Sequence, residues 1–134
     1  MGYDSEWVSE GILAKSSRPG HPSETGITQS IVDSWITEVK EMGVESIICF
    51  LSNDQLPFYS DLPNGLISYY RDSGFEVAHI PQTDYEYPPL SDVNLQLAIS
   101  SFDELKKPVL IHCSAGKDRT GLAIRTILDR ASLS

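Results

Sequence analysis

Three short apolar runs alternate along the chain with stretches of helical periodicity: "ESIICFLS" (45–52), "FEVAHIP" (75–81) and "PVLIHC" (108–113). Nothing else in the sequence constrains the fold as tightly. Runs of this length suit strands covered on both faces. Strands that alternate with helices pair in parallel, because each helix returns the chain to the edge where it began. The expected fold class is therefore α/β, a central, mainly parallel sheet flanked by helices. "WVSEGILAKSS" adds two strand-like pieces about Gly11, read as a hairpin or an edge strand.

The helices between the runs have start and stop signals. Thr28 stands as an N-cap before Ile31, Val32, Trp35, Ile36, Val39 and Met42, and Gly43 ends the pattern. Ile27 and Val32 sit where a hydrophobic staple would. A short helix is predicted over "GLISYYRDS", before Gly74. Ser91 caps another, with Val93, Leu97, Ala98, Phe102 and Leu105 as its apolar positions. The last helix is predicted from about Thr120 to Arg130. "RPGHPSETG", "LPFYSDLPN" and "QTDYEYPPL" read as loops.

A length of 134 residues suits a single domain spanning 1–134. The net charge of −9 repels nucleic acid, so no nucleic-acid partner is expected, and an anionic ligand needs a local positive feature. No apolar run approaches the roughly 20 residues of a membrane span, so no integral membrane segment is expected. The opening "MGYDSEWVSE" is acidic and polar, unlike a secretory signal. Two cysteines make no disulfide framework, and a reducing cytoplasmic setting is expected. Two cysteines and three histidines, widely spread, show no metal-ligand spacing.

In a parallel sheet, ligands bind beyond the carboxyl ends of the strands. Two loops leave strands at that edge with useful chemistry: 81–90 with Asp84, and 113–119 with Cys113 and Arg119. The second loop wraps onto a helix N-terminus, whose dipole and inward amides make an anion site. Ser114, Ala115, Gly116, Lys117 and Asp118 supply the cradle, and small side chains at Ala115 and Gly116 leave room in it. Arg119 offers a planar fork for two phosphate oxygens. Helix N-termini and cationic neighbours also favour a thiolate, so Cys113 is a candidate nucleophile. Thr120 is placed to donate to its sulfur. His112 is expected to orient the loop or add positive character. Asp84, 29 residues before Cys113, is the candidate general acid, with Asp92 a competing carboxylate that also suits a helix start. The reaction would need neither metal nor cofactor.

"HCSAGKDRT" is similar to the His-Cys-x5-Arg-Thr signature of the cysteine-dependent protein tyrosine phosphatase superfamily. The chain most resembles its compact dual-specificity-type branch. "GILAKSSRP" resembles that branch's opening strand, which usually reads Leu-x-Arg-Ser-x-x-Pro; Lys15 stands where Arg is usual. The resemblance implies a protein tyrosine phosphatase-like fold and hydrolysis of phosphate monoesters through a phosphocysteine. Cys113 would be the nucleophile, Arg119 the phosphate clamp, Asp84 the acid and Thr120 the hydroxyl that helps release the thiolate. The "GKDRTG" variant puts a second cation, Lys117, in the loop, as in members that hydrolyse phosphoinositides, while Asp118 offsets it or assists as a secondary acid. The expected partner is a phosphorylated protein or a phospholipid headgroup. Family members continue with C-terminal helices, whereas this chain ends 15 residues after Arg119. An exposed apolar patch about Ile124, Ile127 and Leu128 would favour a homodimer through the last helix, or a missing piece.

Blander readings stand beside these. The loop can bind phosphate without turnover, as a docking module. Arsenate or sulfur-transfer chemistry fits such a loop less well. Lys117 can be a solvated lysine, and Tyr85 and Tyr87 half-exposed loop aromatics rather than the pocket mouth. His21 and His79 read as bystanders. Cys49 reads as a core residue, with a reversible disulfide to Cys113 as the alternative.

Overall fold

The computed structural model describes residues 4–131; residues 1–3 and 132–134 lie outside the described residues. Five strands form one sheet in the order β1-β2-β5-β3-β4. β1 (Glu6–Ser9) and β2 (Leu13–Ser16) are the expected hairpin about Gly11, with β1 antiparallel at the edge. β3 (Ser46–Cys49), β4 (Glu76–His79) and β5 (Val109–His112) complete it. The pairs β2–β5, β5–β3 and β3–β4 are all parallel. β5 is the last strand in sequence but is inserted at the centre, which is why all four of its residues are buried.

Each face of the sheet has its own core. On one side α1 (Gln29–Glu41) and α2 (Gly65–Asp72) pack Val32, Trp35, Ile36, Val39, Leu66 and Tyr70 against Ala14, Ile47, Cys49 and Leu110. On the other side α3 (Asp92–Glu104) and α4 (Asp118–Ala131) pack Ala98, Ile99, Phe102, Ala123 and Ile127 against Leu13, Ile48, Val109 and Ile111. Alternate strand residues face alternate cores, as the pleat requires.

The caps fall where expected. Thr28 accepts a bond from the Ile31 N–H, and Ser91 from the Asn94 N–H. Ile27 and Val32 are buried in the same core. Three expectations need correction. Val93 and Leu97 are 70% and 48% exposed, because α3 turns Ala98, Ile99 and Phe102 inward instead. Ile124 and Ile127 are buried against the sheet and Leu128 is partly buried there, so the apolar patch that would favour a homodimer is not exposed on the last helix. α4 starts at Asp118, which brings Arg119 into its first turn. "LPFYSDLPN" also contains a 3-10 turn over Leu56–Tyr59.

Behind the centre of the sheet lies an aromatic and polar cluster. Trp35 stacks on Tyr70 at 5.4 Å between ring centroids, and both meet the His112 ring edge-on. His112 Nδ1 bonds the Cys113 carbonyl at 2.9 Å and must donate, because a carbonyl only accepts. Its Nε2 is then the acceptor for the Tyr70 hydroxyl, at 2.9 Å. Burial holds the imidazole down to about 4; the Arg119 and Arg18 charges act in the same direction, and the carbonyl bond partly opposes them. His112 is thus a neutral tether of the loop and adds no positive charge, which corrects half of its expected role.

This pKa has a consequence for stability. At neutral pH the ring is uncharged in both the folded and unfolded chain and contributes no pH dependence. Below about 6.5 the unfolded chain takes up a proton that the folded chain refuses, so stability falls with pH until about 4. The total loss from this group is on the order of 3 kcal/mol. Urea denaturation at stepped pH will show it, and His112→Asn will flatten that portion of the curve. Equal slopes in the two proteins would show that His112 does not carry the effect.

Candidate active site

All four parallel strands deliver a segment to the same edge. β2 is followed by Ser17 and Arg18, β3 by Phe50 to Gln55, β4 by Gln82 and Asp84, and β5 by the loop from Cys113 to Arg119. The β5–α4 loop is the hub. Among the described residues, the N–H groups of Ser114, Ala115, Gly116 and Lys117 make no protein hydrogen bond, and α4 begins directly behind them. An array of free amides at a helix N-terminus attracts an anion.

Gly116 shows how closely the loop is packed. It has φ +75°, and a Cβ there would lie 2.6 Å from the Ser16 carbonyl oxygen. Both the left-handed conformation and the contact require glycine. The Arg18 N–H bonds the Ser114 carbonyl at 2.9 Å, fixing the loop to the end of β2.

Arg119 is 1% exposed. Its Nη1 donates to three acceptors: the Phe50 carbonyl at 3.0 Å, Gln55 Oε1 at 3.0 Å and the Gln82 carbonyl at 2.7 Å. Its Nε and Nη2 are buried without an aligned hydrogen-bond acceptor. Nη2 does lie 3.0 Å from Asp84 Oδ2. This is an ion pair by distance but lacks the alignment of a hydrogen bond. The Nε–Nη2 edge, the side that matches two oxygens of an oxyanion, is therefore the unspent part of the fork.

Asp84 lies on the loop beyond β4, where the sequence expected it. Oδ2 pairs with Arg119 and accepts from Gln55 Nε2 at 3.4 Å; Oδ1 accepts from the Tyr85 N–H at 3.0 Å. Tyr85 has φ +62°, which is uncommon for a tyrosine and marks a constrained turn beside the carboxylate. Cys113 is a buried free thiol at the start of the loop. Together these groups can hold an oxyanion against a sulfur, with a carboxylate at the same arginine.

Other expected residues fall outside this cluster or act differently in it. Thr120 Oγ1 is buried with no hydrogen-bond partner, so the expected donation to the Cys113 sulfur is not made. Lys117 and Asp118 are exposed on the loop, and Ser114 accepts from Arg18. Asp92 starts α3, consistent with its helix-capping reading. Tyr85 and Tyr87 are almost wholly exposed. His79 bonds the Leu51 carbonyl at 2.8 Å and has a structural role. Cys49 is fully buried, and burial pushes its thiol up to about 12. It belongs to the core of one sheet face and Cys113 to the other, and its register partner on β5 is His112. Both cysteines are free thiols.

Sequence reasoning missed Gln55, Gln82 and Arg18. Gln55 bridges the candidate acid and the arginine, and Gln82 holds the acid loop through its carbonyl. Both stand in loops without periodicity, so nothing in the sequence singled them out. Arg18 carried one weak signal, a charge between two serines and a proline just past a strand.

Comparison with known proteins places this geometry. Residues 69–134 match the tyrosine phosphatase family. No curated protein sequence matches the chain. Among solved structures, kinase associated phosphatase with its catalytic cysteine replaced by serine superposes with a TM-score of 0.74 at 20% identity, covering 100% of this chain and 78% of that one. Tk-PTP in its active form gives 0.64 at 21% identity, covering 100% and 78%. The core catalytic domain of the PP-IP phosphatase SIW14 from S. cerevisiae gives 0.66 at 20% identity, covering 99% and 69%. The tyrosine phosphatase match thus covers the segment that holds the loop, just under half of the chain, and the whole chain has a protein tyrosine phosphatase-like fold.

Proposed function

We propose that the protein hydrolyses phosphate monoesters, with phosphotyrosine in proteins as its substrate class, through a phosphocysteine on Cys113. One observation carries this reading. A fully buried arginine keeps its two-proton edge unspent, beside a loop of free amides that begins at a cysteine. Buried charges and buried donors persist where a counter-ion is to be bound.

The chemistry follows from the placement. A phosphate takes the Nε and Nη2 protons of Arg119 and the loop amides, which frees the Asp84 carboxyl from the guanidinium. The Cys113 thiolate attacks phosphorus, so an S–P bond forms and the ester P–O bond breaks. Asp84, protonated, gives its proton to the departing oxygen. The resulting carboxylate then takes a proton from water, the hydroxide displaces sulfur, and inorganic phosphate leaves with the thiolate restored. The reaction needs no redox partner, but it does need an unoxidised sulfur, which is why a reducing compartment such as the cytoplasm is part of the proposal.

Phosphoinositides are the second reading. Lys117 is exposed on the loop and has no ion-pair partner among the described residues, so it can meet a further phosphate. Of the structural neighbours, SIW14 is described as a PP-IP phosphatase. Turnover of a phosphotyrosine peptide against a phosphoinositide, measured side by side, decides between them.

Cys113→Ser is expected to lower turnover of p-nitrophenyl phosphate by several orders of magnitude while leaving orthovanadate or phosphopeptide binding in place. Full activity in that variant would refute the mechanism. Wild-type protein that binds phosphopeptide without turnover would instead be a docking module. Asp84→Asn is expected to slow a phosphotyrosine peptide by about 10²–10⁴-fold in kcat, with little change in KM. Undiminished kcat would move the acid role to another carboxylate, with Asp118 the next to test.

A further inference from the structure

Arg18 is a second buried guanidinium at this site, and no carboxylate pairs with it among the described residues. It is 1% exposed, as deeply placed as Arg119. Its Nε donates to Ser114 Oγ at 3.1 Å, and its own backbone N–H holds the Ser114 carbonyl. Nη1 lies 3.4 Å from the Tyr59 hydroxyl, which is itself turned to the Pro19 carbonyl at 2.6 Å. The guanidinium sits 4.8 Å from the centroid of the Phe58 ring. All of these partners are neutral. The two acids of this corner are engaged elsewhere: Asp4 with the N–H and hydroxyl of Ser17, and Asp84 with Arg119.

A cation taken out of water without a counter-charge costs several kcal/mol. Hydrogen bonds to a hydroxyl and a ring face offset part of that cost. An anion beside the guanidinium would offset more of it. Arg18 and Arg119 together carry two fixed positive charges, and Asp84 supplies one negative charge. The residual charge fits a thiolate or a bound phosphate, and Arg18 reaches the loop directly at the residue after the cysteine. Burial is what chiefly lowers His112 at the floor of the loop, and the Arg119 and Arg18 charges add to it.

We propose that Arg18 is a positioning residue of the phosphate site. It holds Ser114 so that the loop amides converge, and its buried charge favours both the Cys113 thiolate and a bound oxyanion. The inference rests on the phosphate-site reading above and deepens it.

The other titratable and charged groups about the loop are Arg119, Lys117 and Asp118 on the loop and α4, Asp84 beyond β4, Asp4 and His21 beside Arg18, Cys49 on β3 and the Tyr70–His112 pair behind. All remain in place when Arg18 alone is changed, and of these His21 and His112 also feel its charge. The test uses Arg18→Met and Arg18→Gln, two neutral variants in case one does not fold, and Arg18→Lys, which keeps the charge. Two measurements need no turnover: orthovanadate binding to the wild-type and variant proteins by titration calorimetry, and the rate of Cys113 alkylation by iodoacetamide against pH. The neutral variants are expected to bind vanadate about tenfold more weakly. Their alkylation profile should move about one pH unit higher. Arg18→Lys should restore most of the profile. A folded neutral variant with the wild-type profile and wild-type vanadate affinity would overturn the inference. So would an equal shift in Arg18→Lys, which would assign Arg18 to packing alone. Wild-type protein that ignores vanadate and alkylates like a free thiol would instead overturn the phosphate site itself, and Arg18's role with it.

Discussion

The buried guanidinium of Arg119 is the interaction on which the rest of this structure depends. Its Nη1 draws the end of β3, the Gln55 side chain and the backbone beyond β4 onto one atom. These segments lie far apart in sequence and would otherwise be separate surface loops. A permanent charge with three acceptors on one nitrogen fixes their relative positions and leaves its second edge for a ligand. A lysine would supply the charge but not two independently directed edges.

The second constraint comes from behind the sheet. His112 sits between the aromatic core and the first carbonyl of the loop, and its tautomer is set by that carbonyl. A neutral, buried imidazole transmits the packing of Trp35 and Tyr70 to the backbone that carries Cys113. Gly116 does the equivalent on the other side, where the Ser16 carbonyl leaves no room for a side chain. The loop is thus held from the back, from β2 and from Arg119, while its own amides are left without protein partners. That combination suits a site preorganised for an anion.

The charge distribution reconciles a net charge of −9 with the anionic substrate proposed above. Most of the charge lies on solvated surface, where it is screened. The two guanidiniums at the strand ends are buried, and there a charge acts at short range in a lower dielectric. Local placement outweighs the overall sign.

Much of this was legible in the sequence for definite reasons. Burial on both faces fixes the period and length of β3 and β5, and turn chemistry fixes the caps at Thr28 and Ser91, so the α/β class followed. Cys113 and Arg119 were legible because a loop between a buried strand and a helix permits few geometries. Asp84 was legible because parallel strands share an edge. Val93 and Leu97 misled, since an i, i+4 apolar pair looks the same whether it meets a core or solvent. Arg18, Gln55 and Gln82 were not legible, because their importance lies in partners more than 25 residues away. Local chemistry, written in spacing and residue type, was settled by the chain itself. Which distant groups meet a given charge was decided only by the sheet order, which inserts the last strand at the centre and brings four strand ends to one place.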